Sequence, residues 1–456
     1  MLKGSLPLII LVLFSSMAVF AQKDAKFSEE MKQEMCAKVK AAAQHAWQGY
    51  KQYAWGADDL KPLTKEPKTW YKKSMLMTPV DAFDTFTLLG LTEEANEAKE
   101  LILTKLDFNV DNDVQVFEIT IRLLAGLITA YELDGNKKFR DLAVDLANRL
   151  LPAFNSPTGM PYRYVHLQTG KTRDGINNPA EIGTLMMEFG KLSKITGNNT
   201  YYNAAKKAMM LVYTNRSSLN LVGEQIDVET GKWVNSRSHI GAYIDSYYEY
   251  LYKSWLLFGD IDFKNAFETH NRAIKKYLIS KTKNGWFMHQ VDMNTGKMIG
   301  TTYGALEAFY AGLCAFAGDI ETGRQIQEAN YYMWTRFTIE PEEFDFVADT
   351  ITSAYYILRP ENLESCFYLY RLTGELKYLW QGKVMVESIL DHCKNEVGFA
   401  SLKNVQTFEK ANSMESFFFG ETLKYAYLIF APESVLDLSK VVLTTEAHPF
   451  KIEKKN

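Results

Sequence analysis

From Phe27 onward, apolar positions recur at helical spacing, and the helical stretches alternate between two kinds. A nearly continuous apolar stretch runs into a glycine, and a more polar, amphipathic stretch leaves it. The junctions read Leu133-Asp134-Gly135-Asn136, Ile195-Thr196-Gly197-Asn198, Leu257-Phe258-Gly259-Asp260, Phe316-Ala317-Gly318-Asp319 and Leu372-Thr373-Gly374-Glu375. Their glycines are 62, 62, 59 and 56 residues apart. A glycine just past a helix can take the left-handed conformation that ends it, so each unit predicts an inner and an outer helix joined by a tight turn. Leu89-Gly90-Leu91 begins a comparable turn before a helix over residues 93–106, and Phe430-Ala431-Pro432 ends a last apolar helix. Seven inner helices predict an all-α (α/α)7 toroid of seven hairpins, one domain over residues 22–456, with all inner N-termini at one mouth. The same units also stack as an open solenoid. A weak seventh turn and a strand-like C-terminal plug favour closure.

Three shorter repeats stand just before inner helices: Gln168-Thr169-Gly170-Lys171, Glu229-Thr230-Gly231-Lys232 and Asn294-Thr295-Gly296-Lys297. Alternation around them, Val234 with Ile226 and Phe287 with Met298, predicts short β-hairpins with glycine turns. They are expected on the rim of the mouth, as a collar for a substrate.

Carboxylates mark the starts of the inner helices. In Leu358-Arg359-Pro360-Glu361-Asn362-Leu363-Glu364-Ser365, Pro360 signals a helix start, and Glu361 and Glu364, three apart, share a face. Glu118, Glu181 and Asp245 hold comparable positions before Gly135, Gly197 and Gly259, Asp81 and Asp84 precede Gly90, and Glu415 and Glu421 belong to the last apolar helix. Acids in runs such as Val116-Phe117-Glu118-Ile119 need partners. Arg122 and Arg359 are too few to balance them, whereas a hard divalent cation such as Ca2+ would. A ring of carboxylates also supplies the acid and the base that hydrolysis of a glycosidic bond requires. Glu361, beside Arg359, is expected to keep a low pKa, and Glu118, between Phe117 and Ile119, to hold its proton more readily.

Composition narrows the setting. A net charge of -4 with no basic stripe gives no nucleic-acid footprint. Residues 1–21 carry Lys3, an apolar run from Leu6 to Leu13 and Val19-Phe20-Ala21, which predicts a cleaved signal peptide and an exported protein, periplasmic or secreted, or in a secretory lumen. No second apolar run is long enough for a membrane span, and the tail after Ile452 shows no retention signal. Cys36, Cys314, Cys366 and Cys393 lack metal spacing and are expected as free thiols. The seven histidines form no HExxH pair. A content of 26 Tyr, 27 Phe and 8 Trp mostly serves the core, with a few rings left for sugar faces.

At these residues a resemblance emerges. Val116-Phe117-Glu118-Ile119-Thr120-Ile121-Arg122, Asp245-Ser246-Tyr247-Tyr248-Glu249-Tyr250-Leu251, the octapeptide ending at Ser365, Glu421-Thr422-Leu423-Lys424-Tyr425 and Thr445-Glu446-Ala447-His448-Pro449 resemble the signature blocks of glycoside hydrolase family 47, the class I α-1,2-mannosidases. Val80-Asp81-Ala82-Phe83-Asp84-Thr85 and Ala180-Glu181-Ile182-Gly183-Thr184 match too, and the blocks run in family order. The resemblance implies an inverting, Ca2+-dependent, exo-acting mannosidase of mannose-containing glycans, expected as a monomer. It assigns Glu118 as general acid, Glu361 as general base and Asp245 as a third catalytic carboxylate. Thr445 would bind Ca2+ through its carbonyl and hydroxyl oxygens, with waters and sugar hydroxyls held by Glu188, Glu361, Glu364 and Glu421. Arg359, Phe417 and Glu342 would contact substrate, Phe417 by packing on the terminal mannose.

Val114-Gln115-Val116-Phe117-Glu118 and Glu340-Pro341-Glu342-Glu343-Phe344 are most similar to the ER-degradation-enhancing mannosidase-like branch, some members of which have been read as lectins. A mannose-binding lectin is therefore the alternative. A polysaccharide lyase or uronyl hydrolase toroid is a third reading, which an anionic mouth suits badly. Ala308 and Asn330 stand where processing mannosidases of the family carry a cysteine pair, and Tyr243 stands where the single-mannose-trimming enzyme has Arg.

Overall fold

The computed structural model describes residues 26–452, so the expected leader, residues 1–21, lies outside the described residues. Helix α1 (Glu29–Tyr53) comes first, and α2 (Met77–Leu89) with α3 (Thr92–Lys105) make the first hairpin. The next inner helix joins α4 (Val116–Ile119), a π-helical turn (Thr120–Leu124) and α5 (Ala125–Asp134), and its outer helix is α6 (Lys137–Leu150). A third inner helix is broken into α7 (Pro179–Gly183) and α8 (Met186–Thr196), with α9 (Asn199–Thr214) outside it. Then α10 (Asp245–Phe258) pairs with α11 (Ile261–Tyr277), α12 (Phe309–Phe316) with α13 (Ile320–Phe337), and α14 (Glu361–Thr373) with α15 (Lys377–His392). A second π-helical turn (Phe418–Thr422) leads into α16 (Leu423–Phe430), the last inner helix, and the outer helix packed on it is α1.

Side-chain chemistry explains the turns. Gly135, Gly197 and Gly259 take φ of 80°, 73° and 72° and end their inner helices, and the next residue caps the outer helix. Asn136 accepts from the Lys138 amide, Asn198 from Thr200 and Asp260 from Asp262. One dipeptide thus closes one helix and opens the next.

Adjacent inner helices touch in succession. Tyr252 of α10 donates to the Phe316 carbonyl of α12 at 3.1 Å, and the Gly312 amide of α12 to Ser365 Oγ of α14 at 2.8 Å. Thr85 of α2 donates to the Phe419 carbonyl at 2.9 Å, which joins the first inner helix to the last. Almost every side chain of α2 and α16 is buried, as expected of helices enclosed on all sides.

A strand precedes the inner helices, and it pairs with the hairpin that follows the same unit's outer helix. Asp113–Gln115 pairs with Tyr164–His166, Ile176–Asn177 with Gln225–Asp227, and Arg237–Ser238 with Gln290–Asp292. The three predicted glycine-turn hairpins are all present, and the strands ending at Gln115 and Asn177 run directly into inner helices, whereas Arg237–Ser238 reaches its helix through a loop. The seventh unit follows the same rule across the whole chain: Leu60, in the hairpin after α1, bridges to Met414, just before the last inner helix. That unit is assembled from both ends of the sequence. A final antiparallel pair, Val441–Leu443 with Pro449–Lys451, carries Thr445 in its connection.

Some details differ from expectation. Phe287 and Met298 belong to different hairpins, Phe287 opposite Ser280 and Met298 opposite Val291. Ile226 faces Trp233 rather than Val234, whose side chain points outward and is exposed. Helix α14 starts at Glu361, with Pro360 as its N-cap. All four cysteines are free as expected, Cys36 half-buried and the others buried. Among the described residues no helix is long and apolar enough to cross a membrane.

Candidate active site

The N-terminal ends of the inner helices surround a cavity of about 300 Å³. Of the residues expected at the site, Glu118, Asp245, Glu361, Glu364, Arg359, Phe417, Glu421 and Thr445 all line it, from five separate stretches of chain. Glu361 and Glu364 share the face that their spacing predicted. The two π-helical turns bring Arg122 and Glu421 to the same space, a widened helical geometry that recurs at functional sites.

Glu188 and Glu342 stand behind the wall rather than in it. Glu342 grips Arg359 through two bonds, Oε1 to Nη2 at 2.5 Å and Oε2 to Nε at 3.1 Å. A bidentate pair of this kind fixes the guanidinium plane. Glu188 Oε1 accepts from the Tyr250 hydroxyl at 2.6 Å, and that hydroxyl accepts from the Thr445 amide at 3.2 Å. Glu188 therefore reaches Thr445 through Tyr250.

Arg122 lies at the centre of one side. Its Nε donates to Glu118 Oε2 at 3.0 Å and its Nη1 to Glu446 Oε2 at 2.8 Å, and its guanidinium sits 5.5 Å from the ring centroids of both Trp70 and Phe417. Glu118 is partly open to the cavity, its side chain 25% exposed, so the apolar flanks Phe117 and Ile119 do not bury it.

Glu361 is the enclosed member of the pair, and the expectation of a low pKa fails for a physical reason. Burial pushes its carboxyl up to about 8, and Arg359, 3.6 Å from Oε1, offsets only part of that. Oε2 of Glu361 is buried without a partner. Burial likewise raises Asp245 to about 7, with Glu249 adding to the effect, and raises Glu188 and Glu364 to about 8. Glu421 rises well above the usual carboxylate range, from burial and then from the facing Glu446.

Arg122 and Arg359 were the two cations expected to be available. Lys253 and Lys424 add two more: Lys253 is paired with Glu249 and lies 3.7 Å from Glu364, and Lys424 lies 3.0 Å from Asp84. His448 completes the set, with Nδ1 3.0 Å from Asp84 and Nε2 3.5 Å from Asp81. Burial alone would lower His448, but the two aspartates overcome it and lift the imidazole to about 9. Asp81 and Asp84 are thus neutralised beneath the cavity and do not line it. Glu249 and Glu446, which do line it, were not among the expected site residues. Glu249 follows Asp245 by one helical turn, a spacing that could have revealed it.

The comparisons with known proteins agree with this geometry. The chain is 36% identical to the mouse ER degradation-enhancing α-mannosidase-like protein 2, over 90% of this chain and 77% of that protein. It is 35% identical to an α-mannosidase I of Arabidopsis thaliana, over 93% of this chain and 78% of that one. The solved α-1,2-mannosidase from Trichoderma reesei superposes with a TM-score of 0.86 at 29% identity, covering 92% of this chain and 99% of that one. Residues 42–452 match glycosyl hydrolase family 47. With its cavity of carboxylates at the helix N-termini, the chain belongs to that family and is a glycoside hydrolase.

Proposed function

We propose that the protein is an exported, inverting, Ca2+-dependent exo-α-1,2-mannosidase on an (α/α)7 toroid, releasing terminal α-linked mannose from high-mannose glycans or manno-oligosaccharides. The observation that carries this reading is the meeting of Glu118, Asp245 and Glu361 in one cavity with Arg359, Phe417 and Thr445. Closure of the toroid is supported by the bond from Thr85 to Phe419 and by the bridge from Leu60 to Met414. Export rests on the apolar leader over residues 1–21.

In this reading Glu118 gives a proton to the departing glycosidic oxygen, with its carboxyl oriented by Arg122. Glu361 takes a proton from a water that attacks the anomeric carbon from the opposite face. Inversion calls for a separation of about 6.5–9.5 Å between the two carboxyls, leaving room for that water. Phe417 offers a ring edge or face to the sugar, and Arg359, held by Glu342, offers donors to its hydroxyls. Asp245 completes the acidic wall.

The residues fit a hard cation. Thr445 lies on the cavity wall, and Glu188 and Glu361 each present a buried oxygen without a partner. Among the described residues no three of His, Cys, Asp and Glu converge as a ready-made metal cage. The oxygens of Thr445, with waters tied to the surrounding carboxylates, are the donors that suit Ca2+. A bound Ca2+ would supply positive charge that favours the ionised carboxylates and orders the sugar hydroxyls.

Incubation with a high-mannose glycan, followed by NMR of the first product, tests the reading. β-Mannose is expected, and Glu361→Gln should reduce turnover far more than glycan binding. First-formed α-mannose would overturn the assigned roles. Binding without any release would leave a mannose-specific lectin.

A further inference from the structure

We propose that His239 is a positioning residue for Asp245, tying the rim of the mouth to the wall of the cavity. This rests on the reading of Asp245 as a carboxylate that serves the reaction. The loop over residues 241–245 forms one side of the cavity through Ala242, Tyr243 and Asp245. It is a loop under strain. Tyr243 holds φ at 76°, a left-handed backbone that a bulky residue keeps only where its surroundings over-determine it.

Two sets of bonds supply that constraint. The Tyr243 carbonyl accepts from the Ala180 amide at 2.9 Å. Helix α10, which starts at Asp245, has no side-chain cap; instead the Gly241 carbonyl accepts from the amides of Ile244 and Asp245, each at 3.0 Å. Gly241 thus caps the helix that begins with Asp245, and its own place is set from the other side. Its N–H donates to His239 Nδ1 at 3.1 Å. An accepting Nδ1 leaves the imidazole proton on Nε2, and Nε2 lies 2.8 Å from Glu224 Oε1.

Glu224 is anchored to the rim. It accepts from Asn235 Nδ2 at 2.5 Å and pairs with Arg237 Nε at 3.4 Å, both from rim strands. Glu224 and His239 are buried, so neither bond competes freely with water. On the far side of Gly241 stands Glu307, against which any added Cβ would collide. The line of contacts therefore runs from the rim hairpin through Glu224, His239 and Gly241 to the backbone of Asp245.

The two ring nitrogens separate this role from simple packing. Asparagine places an acceptor near the Nδ1 position, and glutamine places its amide near Nε2, so only His239→Asn keeps a partner for Gly241. His239→Ala is expected to lower kcat about tenfold or more, as small misplacements of a reacting group do. KM should stay within about twofold, because substrate contacts elsewhere persist. His239→Asn should recover most of the lost kcat, and His239→Gln should not. Hydrogen exchange at the amides of residues 244 and 245 should quicken in the Ala and Gln variants and stay slow in the Asn variant.

Should the Ala variant fold poorly, the Asn and Gln pair still decides the matter. Rescue by Gln but not Asn, or wild-type kcat and exchange in all three variants, would overturn the proposal. Asp245→Asn serves as the separate control: an active Asp245→Asn enzyme would refute the role of Asp245 itself, whereas an inactive one alongside an unaffected His239→Ala enzyme would refute only the coupling.

Discussion

Arg122 bonds at once to Glu118, the candidate acid, and to Glu446, the neighbour of Thr445, at 3.0 and 2.8 Å. One guanidinium thereby fixes the carboxyl that would protonate the leaving group and the loop that would hold the cation. Glu118→Gln keeps a side chain of the same shape that cannot supply the proton. Release of mannose is expected to fall by about 10²–10⁴, the usual range for a lost general acid, while calorimetry still detects glycan binding.

Arg122→Met should act on stability. It leaves Glu446 buried without its cation, while Asp81 keeps His448, and stranding one buried charge typically costs about 3–5 kcal/mol. A lowered urea midpoint is the expected readout, with partial recovery when Glu446→Gln is added.

The raised carboxylates make stability depend on pH. Glu188, Glu361 and Glu364 move from an ordinary value of 4.5 to about 8, so between those limits the folded protein binds more protons than the unfolded one. Their contribution is complete below the unfolded value and is lost as pH rises through the folded one. Without added metal, the melting temperature should fall between about pH 5 and pH 9. Ca2+ should raise it, and by more at pH 8 than at pH 5. A flat profile without metal would show that these groups titrate normally.

EDTA should lower mannose release and Ca2+ restore it. Thr445→Ala should weaken that response and shrink the thermal shift produced by Ca2+, with the far-ultraviolet circular dichroism unchanged. Full activity of the wild type in metal-free buffer would count against the site.

Asn330 offers a test of the scaffold. Its Nδ2 donates to the Ala308 carbonyl at 3.1 Å and to Gln327 at 3.0 Å, and its Oδ1 accepts from Tyr303 at 2.5 Å. Where processing mannosidases are expected to carry a cysteine pair, this chain joins the same two positions by a hydrogen bond. Asn330→Leu strands several buried polar atoms and should lower stability by about 1–3 kcal/mol, measured by urea unfolding in reducing and non-reducing buffer alike.

Much of this was legible in the sequence. The glycine turns located the inner helices, the apolar runs around Glu118 and Glu421 placed acids where few are tolerated, and the helix start at Pro360 marked Glu361. The partners were harder to see. Lys253 and Lys424 sit in helices and read as ordinary basic positions, because spacing alone does not tell which face of an enclosed helix meets a carboxylate. Glu361 was misjudged because Arg359 is adjacent in sequence, whereas the burial that outweighs it comes from the surrounding helices. The π-helical turns leave no pattern in the residue periodicity at all.

The seventh unit, built from α1 at one end of the chain and α16 at the other, has a consequence for synthesis. During translation α1 emerges early with its apolar face uncovered, and the helix that covers it is among the last segments made. Arg122 and Glu446, which share a bond in the site, are 324 residues apart in sequence. The cavity is therefore complete only once the last segments are made, and a chain stalled before Met414 has neither its closing contact nor its Thr445. Such a chain exposes a sticky helix at its N-terminus, so a holding chaperone that shields α1 would raise the yield of complete molecules.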